Sequence, residues 1–300
     1  MKKVIFCVLL ILLTLIPRVF SLDLKLMGGF GNLSFDSDQK SPLGADEKRF
    51  TPSFFPLAQV ELSDGYNILS YNVGFDRTPI LRNRLYANIG ADWQYFHIHG
   101  GPFVGLFNSP GLPISPGLSA GLGFTVPGII FVEAAGSSTI GILMDKTDNY
   151  FQRSGDISAG FWVPYVICSL NLYLRNFAYR ENSDLLIEDL LTRYYFRADV
   201  YTKNIPFTIR VDLGFEKLSR SYTYPDTDTD ELKSMFMGLE GNFNLHPAVK
   251  MLLGTHIPVY SWGVRPMGDP PKKSFLFQVW AGVIWTLPAG KKSDNYGSSI

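Results

Sequence analysis

FTIRVDLGF, residues 207–215, sorts its side chains by parity: Phe207, Ile209, Val211, Leu213 and Phe215 are apolar, while Thr208, Arg210, Asp212 and Gly214 are polar or small. Successive side chains of an extended strand point to opposite faces, so the run sets an apolar face against a polar one. A helix would spread the same five apolar residues around its circumference. The alternation recurs further on. Met235, Met237, Leu239, Gly241, Phe243 and Leu245 alternate with Ser234, Phe236, Gly238, Glu240, Asn242 and Asn244. Phe275, Phe277, Val279, Ala281, Val283, Trp285 and Leu287 share one face of a closing run. Runs of about ten residues match a tilted strand crossing a bilayer, and exceed the roughly five or six of an ordinary soluble strand.

The chain starts MKKVIFCVLLILLTLIPRVFS. A basic start at Lys2 and Lys3, an apolar run from Val4 to Ile16, and small residues at Val19 and Ser21 read as a cleavable export signal over 1–21, too short in its apolar part for a spanning helix. Without those residues the 27 basic and 27 acidic side chains lose Lys2, Lys3 and Arg18 and no acid, leaving a formal charge of −3. No basic footprint is left, so nucleic acid is not an expected partner. Cys7 falls in the signal and Cys168 is then the only thiol, so no internal disulfide is available. The composition, 14% aromatic and 18% charged with 28 glycines, suits many strands that face lipid. No later apolar run is long enough for a helix to span, which leaves a closed barrel as the membrane architecture.

One domain is expected over 22–287, with 288–300 as a C-terminal tail. Short connections (Ser63-Asp64-Gly65, Pro127-Gly128, KNIP at 203–206, His246-Pro247-Ala248) alternate with long polar ones, as in barrels with short turns on one side and long loops on the other. ENSDLLIEDLL, 181–191, reads as a loop, and the prolines of NSPGLPISP, 108–116, rule out a strand interior. The expectation is an all-β fold: a closed antiparallel transmembrane β-barrel of about fourteen strands, with twelve as the alternative count. A soluble β-sandwich, which also alternates but with shorter strands, is the rival. Aromatic clusters at Trp93, Tyr95 and Phe96, at Phe161, Trp162 and Tyr165, at Tyr194, Tyr195 and Phe196, and at Tyr260 and Trp262 read as interfacial girdles.

With these features the sequence resembles bacterial outer-membrane β-barrel proteins of the porin-like class. The last strand carries the resemblance: Gly282, Trp285 and Leu287, in G-V-I-W-T-L, are similar to the terminal strand of such proteins. Trp280 departs from the pattern by standing where a polar residue is usual. The resemblance implies the outer membrane of a diderm bacterium, with outer-membrane lipid and the barrel assembly machinery as partners.

Tyr195, Arg197, Asp199 and Tyr201 share one polar strand face, Arg210, Asp212 and Glu216 another, and Glu240 and Lys250 fall on polar faces of the next two strands. These nine are the candidate pore-lining residues; a salt-bridged interior that merely fills the barrel is the plainer alternative. Asp226, Asp228 and Asp230 of DTDTDE alternate as hard oxygen ligands, which makes divalent cations candidate partners at that acidic loop. Glu231 stands where an EF-hand has its turn glycine, so a solvated loop is the plainer reading. His97 and His99 point the same way on a strand and are too few for a metal site alone. No nucleophile elbow, metalloprotease helix or phosphate loop is present, so no enzyme and no cofactor is expected.

The expected function is a passive channel for small hydrophilic solutes. Barrels of about eight strands are filled by side chains and those of sixteen or more hold an aqueous channel. Gly74, Gly214, Gly238 and Gly254 on the polar faces are expected to leave space in the lumen. A closed structural or surface-binding barrel, and an outer-membrane hydrolase, are the alternatives.

Overall fold

A computed structural model describes residues 22–33, 54–66, 68–106, 114–140, 150–180, 186–201, 206–223, 227–262 and 276–287. The export signal and the C-terminal tail lie outside the described residues. Fourteen strands follow in chain order: β1 (Leu22–Gly31), β2 (Phe55–Tyr66), β3 (Leu69–Thr78), β4 (Arg82–Trp93), β5 (Phe96–Leu106), β6 (Ser115–Val126) and β7 (Ile130–Thr139). The second half comprises β8 (Tyr150–Val163), β9 (Val166–Arg180), β10 (Leu186–Tyr201), β11 (Phe207–Thr223), β12 (Thr227–His246), β13 (Val249–Trp262) and β14 (Gln278–Leu287). Each pairs antiparallel with its sequence neighbours, and β1 pairs with β14 from Leu22↔Leu287 to Gly31↔Gln278, which closes the barrel. Closure removes both sheet edges and excludes the sandwich.

The parity seen at 207–215 decides what faces where. Leu213 and Phe215 are about half exposed on the outside, whereas Glu216, one position on, is buried inside. Leu26, Leu85, Ile89, Leu122, Ile157, Leu170, Leu239 and Leu253 continue the exposed apolar surface around the wall. Along β11 the outward series is apolar from Phe207 to Phe215 and polar from Lys217 to Ser221; along the paired β12 it changes between Met235 and Lys233. Nine residues of tilted strand give a band roughly 20–25 Å tall.

Connections at one end are tight. Pro164-Tyr165 joins β8 to β9 in two residues, with Tyr165 at φ 68°, which with proline before it is the arrangement of a type II turn. Pro127-Gly128 uses Gly128 at φ 78°. Gln94-Tyr95 and Pro247-Ala248 turn at the same end, where both barrel termini also lie.

Several boundaries differ from the sequence reading. The first turn is not at Ser63-Asp64-Gly65: β2 continues to Tyr66, paired with Leu69. Leu186–Leu191 is strand, the start of β10, paired on both sides; its apolar run faces neighbours rather than solvent. Asp228 and Asp230 are not in a loop but on β12, opposite Tyr222 and Arg220, and Asp226 lies outside the described residues. Proline inside strands is tolerated where the ladder bends. Pro258 sits opposite Phe236 at a register shift that leaves Val259 unpaired and outward, as expected for a bulge.

Inside the loop end lies an apolar cluster of Leu33, Ile80, Phe177, Leu191, Leu218, Leu232 and Leu276. Phe177, Leu191, Leu218 and Leu232 come from the inward faces of β9–β12. Ile80 comes from the β3–β4 turn, which in a closed ring of fourteen lies opposite β10–β11. That turn therefore folds inward across the mouth. Leu81, also buried, donates its N–H to Thr78 Oγ1 (3.2 Å), and its carbonyl accepts the Gln152 side-chain amide from β8.

Candidate functional site: the lumen between β9 and β14

Below the apolar cluster, charged side chains pair along the inward wall. Arg193 donates from Nε to Glu216 (2.9 Å). Arg197 binds Asp212 through two parallel bonds, Nε–Oδ1 at 2.8 Å and Nη2–Oδ2 at 2.9 Å. Arg210 donates to Asp199 (2.7 Å) and to Glu240 (3.3 Å). The spacing follows from register: Arg193↔Glu216, Arg197↔Asp212 and Asp199↔Arg210 are directly opposed across β10–β11, as are Arg210↔Glu240 across β11–β12. Opposite charges at opposed positions of one face meet without bending the chain.

Aromatic rings stand among these ions. Arg175 lies 3.7 Å over Tyr173 and Arg197 5.2 Å over Tyr195. Trp280 donates its indole N–H to Glu240 (3.2 Å). Tyr173, Arg193, Arg197, Arg210, Asp212 and Trp280 are among the residues lining a cavity of about 180 Å³. A second, wider cavity of about 520 Å³ opens towards the tight-turn end and is lined by polar groups of β1–β5, among them Asp64, Tyr71, Asn72 and Asn88.

All nine candidate lining residues fall on inward faces. Tyr195, Arg197, Asp199, Arg210, Asp212, Glu216 and Glu240 belong to the ion-pair wall, Tyr201 sits at the end of β10 opposite Thr208, and Lys250 is exposed at the tight-turn end opposite Asn244. Arg193 shares the face of Tyr195 two positions upstream, so extending the parity would have found it. Trp280 is an inward residue: the departure in the terminal strand is a lumen side chain. The glycines do not all leave space. Tyr86 lies over Gly74 and the Trp280 indole over Gly254, where a Cβ would collide with the ring. A ring laid over an inward glycine fills the groove that the missing side chain leaves.

His97 and His99 are inward, parallel and 6.5 Å apart, each lying flat over a glycine, Gly123 and Gly121, so their edges do not converge. Among the described residues no group of three or more His, Cys, Asp or Glu could hold a metal. Glu216 accepts from Ser234 (2.8 Å) and meets His256 Nε2 (3.0 Å). The acid stands in the middle, whereas a hydrolase needs the histidine between nucleophile and acid.

A closed wall whose outer face is apolar over one bilayer thickness, and whose ions all turn inward there, is built to be surrounded by lipid. The chain is a closed transmembrane β-barrel of fourteen strands. Exposed rings border the band: Trp93, Phe96, Phe161, Tyr165 and Trp285 near the tight turns, and Phe30, Phe215, Tyr194 and Tyr260 towards the loops. Tyr195 and Trp162, expected in the girdles, have the inward parity instead, and Tyr194 lies mid-strand because β10 runs on above the band.

No known protein family matches the barrel's sequence, and no curated protein matches it. Solved structures with similarity include OmpT with loop L8 deleted, an outer membrane protein of Vibrio cholerae (9% identity, 89% of this chain and 98% of that chain, TM-score 0.45). An outer membrane channel from Pseudomonas putida F1 shares 8% identity over 91% of this chain and 97% of that chain, with a TM-score of 0.45. A bacterial polysaccharide outer membrane secretin shares 8% identity over 89% of this chain and 98% of that chain, with a TM-score of 0.48.

Proposed function

We propose that the barrel is a non-enzymatic channel for small hydrophilic solutes whose outer mouth is stoppered by its own β3–β4 turn. The supporting observation is the contrast along the lumen axis. The inner half is polar and charge-balanced, with a vestibule of about 520 Å³; the loop end is filled by the apolar cluster that holds Ile80. Fourteen strands place the barrel between side-chain-filled and water-filled sizes, so a few inward residues decide whether water passes. Mixed charge on the lining disfavours strong ion selectivity, which is ordinarily set by rings of one sign. The apolar cluster also favours a second reading, a permanently closed structural barrel.

Conductance in a planar bilayer separates the two. The expected result is small or infrequent steps for the natural protein, and larger or more frequent ones for Ile80→Ser, which weakens the stopper. Arg210→Gln and Asp212→Asn should each change ion selectivity in opposite directions. If the natural protein and the Ile80→Ser variant both fold and insert yet carry no current, the closed reading is supported and the channel reading ends.

A further inference from the structure

We propose that the cavity bounded by Trp280, Glu240, Arg210, Arg197, Asp212 and Tyr195 is a binding site for a neutral, polyhydroxylated solute of monosaccharide size. The proposal rests on the channel reading for its physiological role, and on the cavity alone for binding.

Trp280 supplies a platform. Its indole is laid against the wall over Gly254, where no other residue leaves room, and its edge is held by Glu240 at 3.2 Å. One ring face is thereby committed to the barrel wall, and the other is left to the cavity that the residue lines. A flat, fixed aromatic face suits the C–H face of a sugar ring, which is apolar although its rim is polar.

The charges set the rim. Every arginine there already has a carboxylate: Arg197 with Asp212 at 2.8 Å, and Arg210 with Asp199 at 2.7 Å and Glu240 at 3.3 Å. An anion entering would find guanidinium groups already neutralised and carboxylates beside them; a cation would meet the reverse. A hydroxyl suffers from neither, because it donates to a carboxylate lone pair and accepts from a guanidinium N–H that the ion pair does not use. Alternating donors and acceptors on a fixed frame therefore favour a neutral polyol over either ion. Size limits the choice further. At about 180 Å³ the cavity is smaller than the roughly 300 Å³ at which drug-sized pockets begin, so a single ring fits and a chain of rings would have to thread through.

The test uses the full-length folded barrel in detergent at mildly acidic pH, with D-glucose, the ring anion glucuronate and the ring cation glucosamine as probes of similar size, and calorimetric titration as the readout. Saturable binding of glucose is expected, tighter than that of either charged analogue. Trp280→Ala should weaken it at least tenfold, and Trp280→Phe should recover part of the loss. Trp285→Ala, which removes an outward indole from the same strand, should leave it unchanged. Gly254→Ala, which pushes the platform off the wall, should weaken it as well. Absence of saturable glucose binding, tighter binding of glucuronate or glucosamine, or an unaltered affinity in Trp280→Ala would each overturn the proposal. Titration does not require current, so failure of the channel reading would show as binding without conductance, and failure of this site as conductance without binding.

Discussion

Arg220 and Asp189 are fully buried at 0% and 2% exposure, joined by two charge-assisted bonds of 2.6 and 2.8 Å from β11 to β10. They lie next to the apolar cluster, where an unpaired ion has no water to turn to. Losing one partner of such a pair costs about 3–5 kcal/mol, whereas replacing both by apolar groups is often neutral. Arg220→Met should therefore lower the urea midpoint of the folded barrel strongly, and Arg220→Met with Asp189→Leu should recover most of it. A single variant as stable as the natural protein would show the pair to be solvated. These residues were not legible as a pair in the sequence. Asp189 falls in a stretch, ENSDLLIEDLL, whose crowding of leucines and acids hides strand parity. Only the register, which places Asp189 opposite Arg220, brings them together. Arg197 and Asp212 were legible as a shared face because their strands alternate cleanly; their direct opposition again required the register.

The paired strands β11 and β12 carry the boundary between lipid and water within their own length. Phe215 opposes Met235 just inside the apolar band, and Lys217 opposes Lys233 just outside it. Two like charges directly opposed would repel, and Glu231 relieves this by pairing with both, at 3.2 Å from Lys233. The boundary predicts a position-dependent cost for a new charge. Leu213→Arg, in the middle of the outward apolar series, should destabilise the barrel in lipid vesicles by about 2–4 kcal/mol, and Ser221→Arg, above the band, by about 0–1 kcal/mol. Equal costs at the two sites, measured by urea unfolding in vesicles, would remove the assigned boundary. At this scale the sequence was most informative where a strand separates two phases, as in 207–215, 235–245 and 279–287. It was least informative where strands rise above the band, as in Leu186–Leu191, because both faces there meet water or protein and alternation no longer marks the strand. Inward-folding Ile80 and Leu81 carry no periodic signal either: a three-residue turn has none, and two apolar residues beside a proline read as an ordinary loop.

Across the whole molecule, the long connections gather at one end, which they share with the short β3–β4 and β11–β12 connections. Pro164-Tyr165, Gln94-Tyr95, Pro127-Gly128 and Pro247-Ala248 are tight, and they share an end with Leu22 and Leu287. Connections at the other end include 34–53, 107–113, 141–149 and 263–275 in sequence, all longer. Outer-membrane barrels keep short turns in the periplasm and long loops outside; this rule predicts the apolar cluster at the external mouth and the wider cavity on the periplasmic side. The upper halves of β9–β12 agree with this orientation, since β12 alone has 20 residues and extends well beyond the apolar band. On that orientation the start of β12, with Asp228 and Asp230, is expected on the cell-surface side. A peptide tag inserted after Pro225 should be labelled by antibody on intact cells, and the same tag inserted between Pro164 and Tyr165 only after the outer membrane is broken. The second insertion disturbs a strained turn, so both variants are first checked for a folded, heat-modifiable barrel on gels. Labelling in the reverse order would invert the molecule, placing the stopper towards the periplasm and opening the vestibule to the medium.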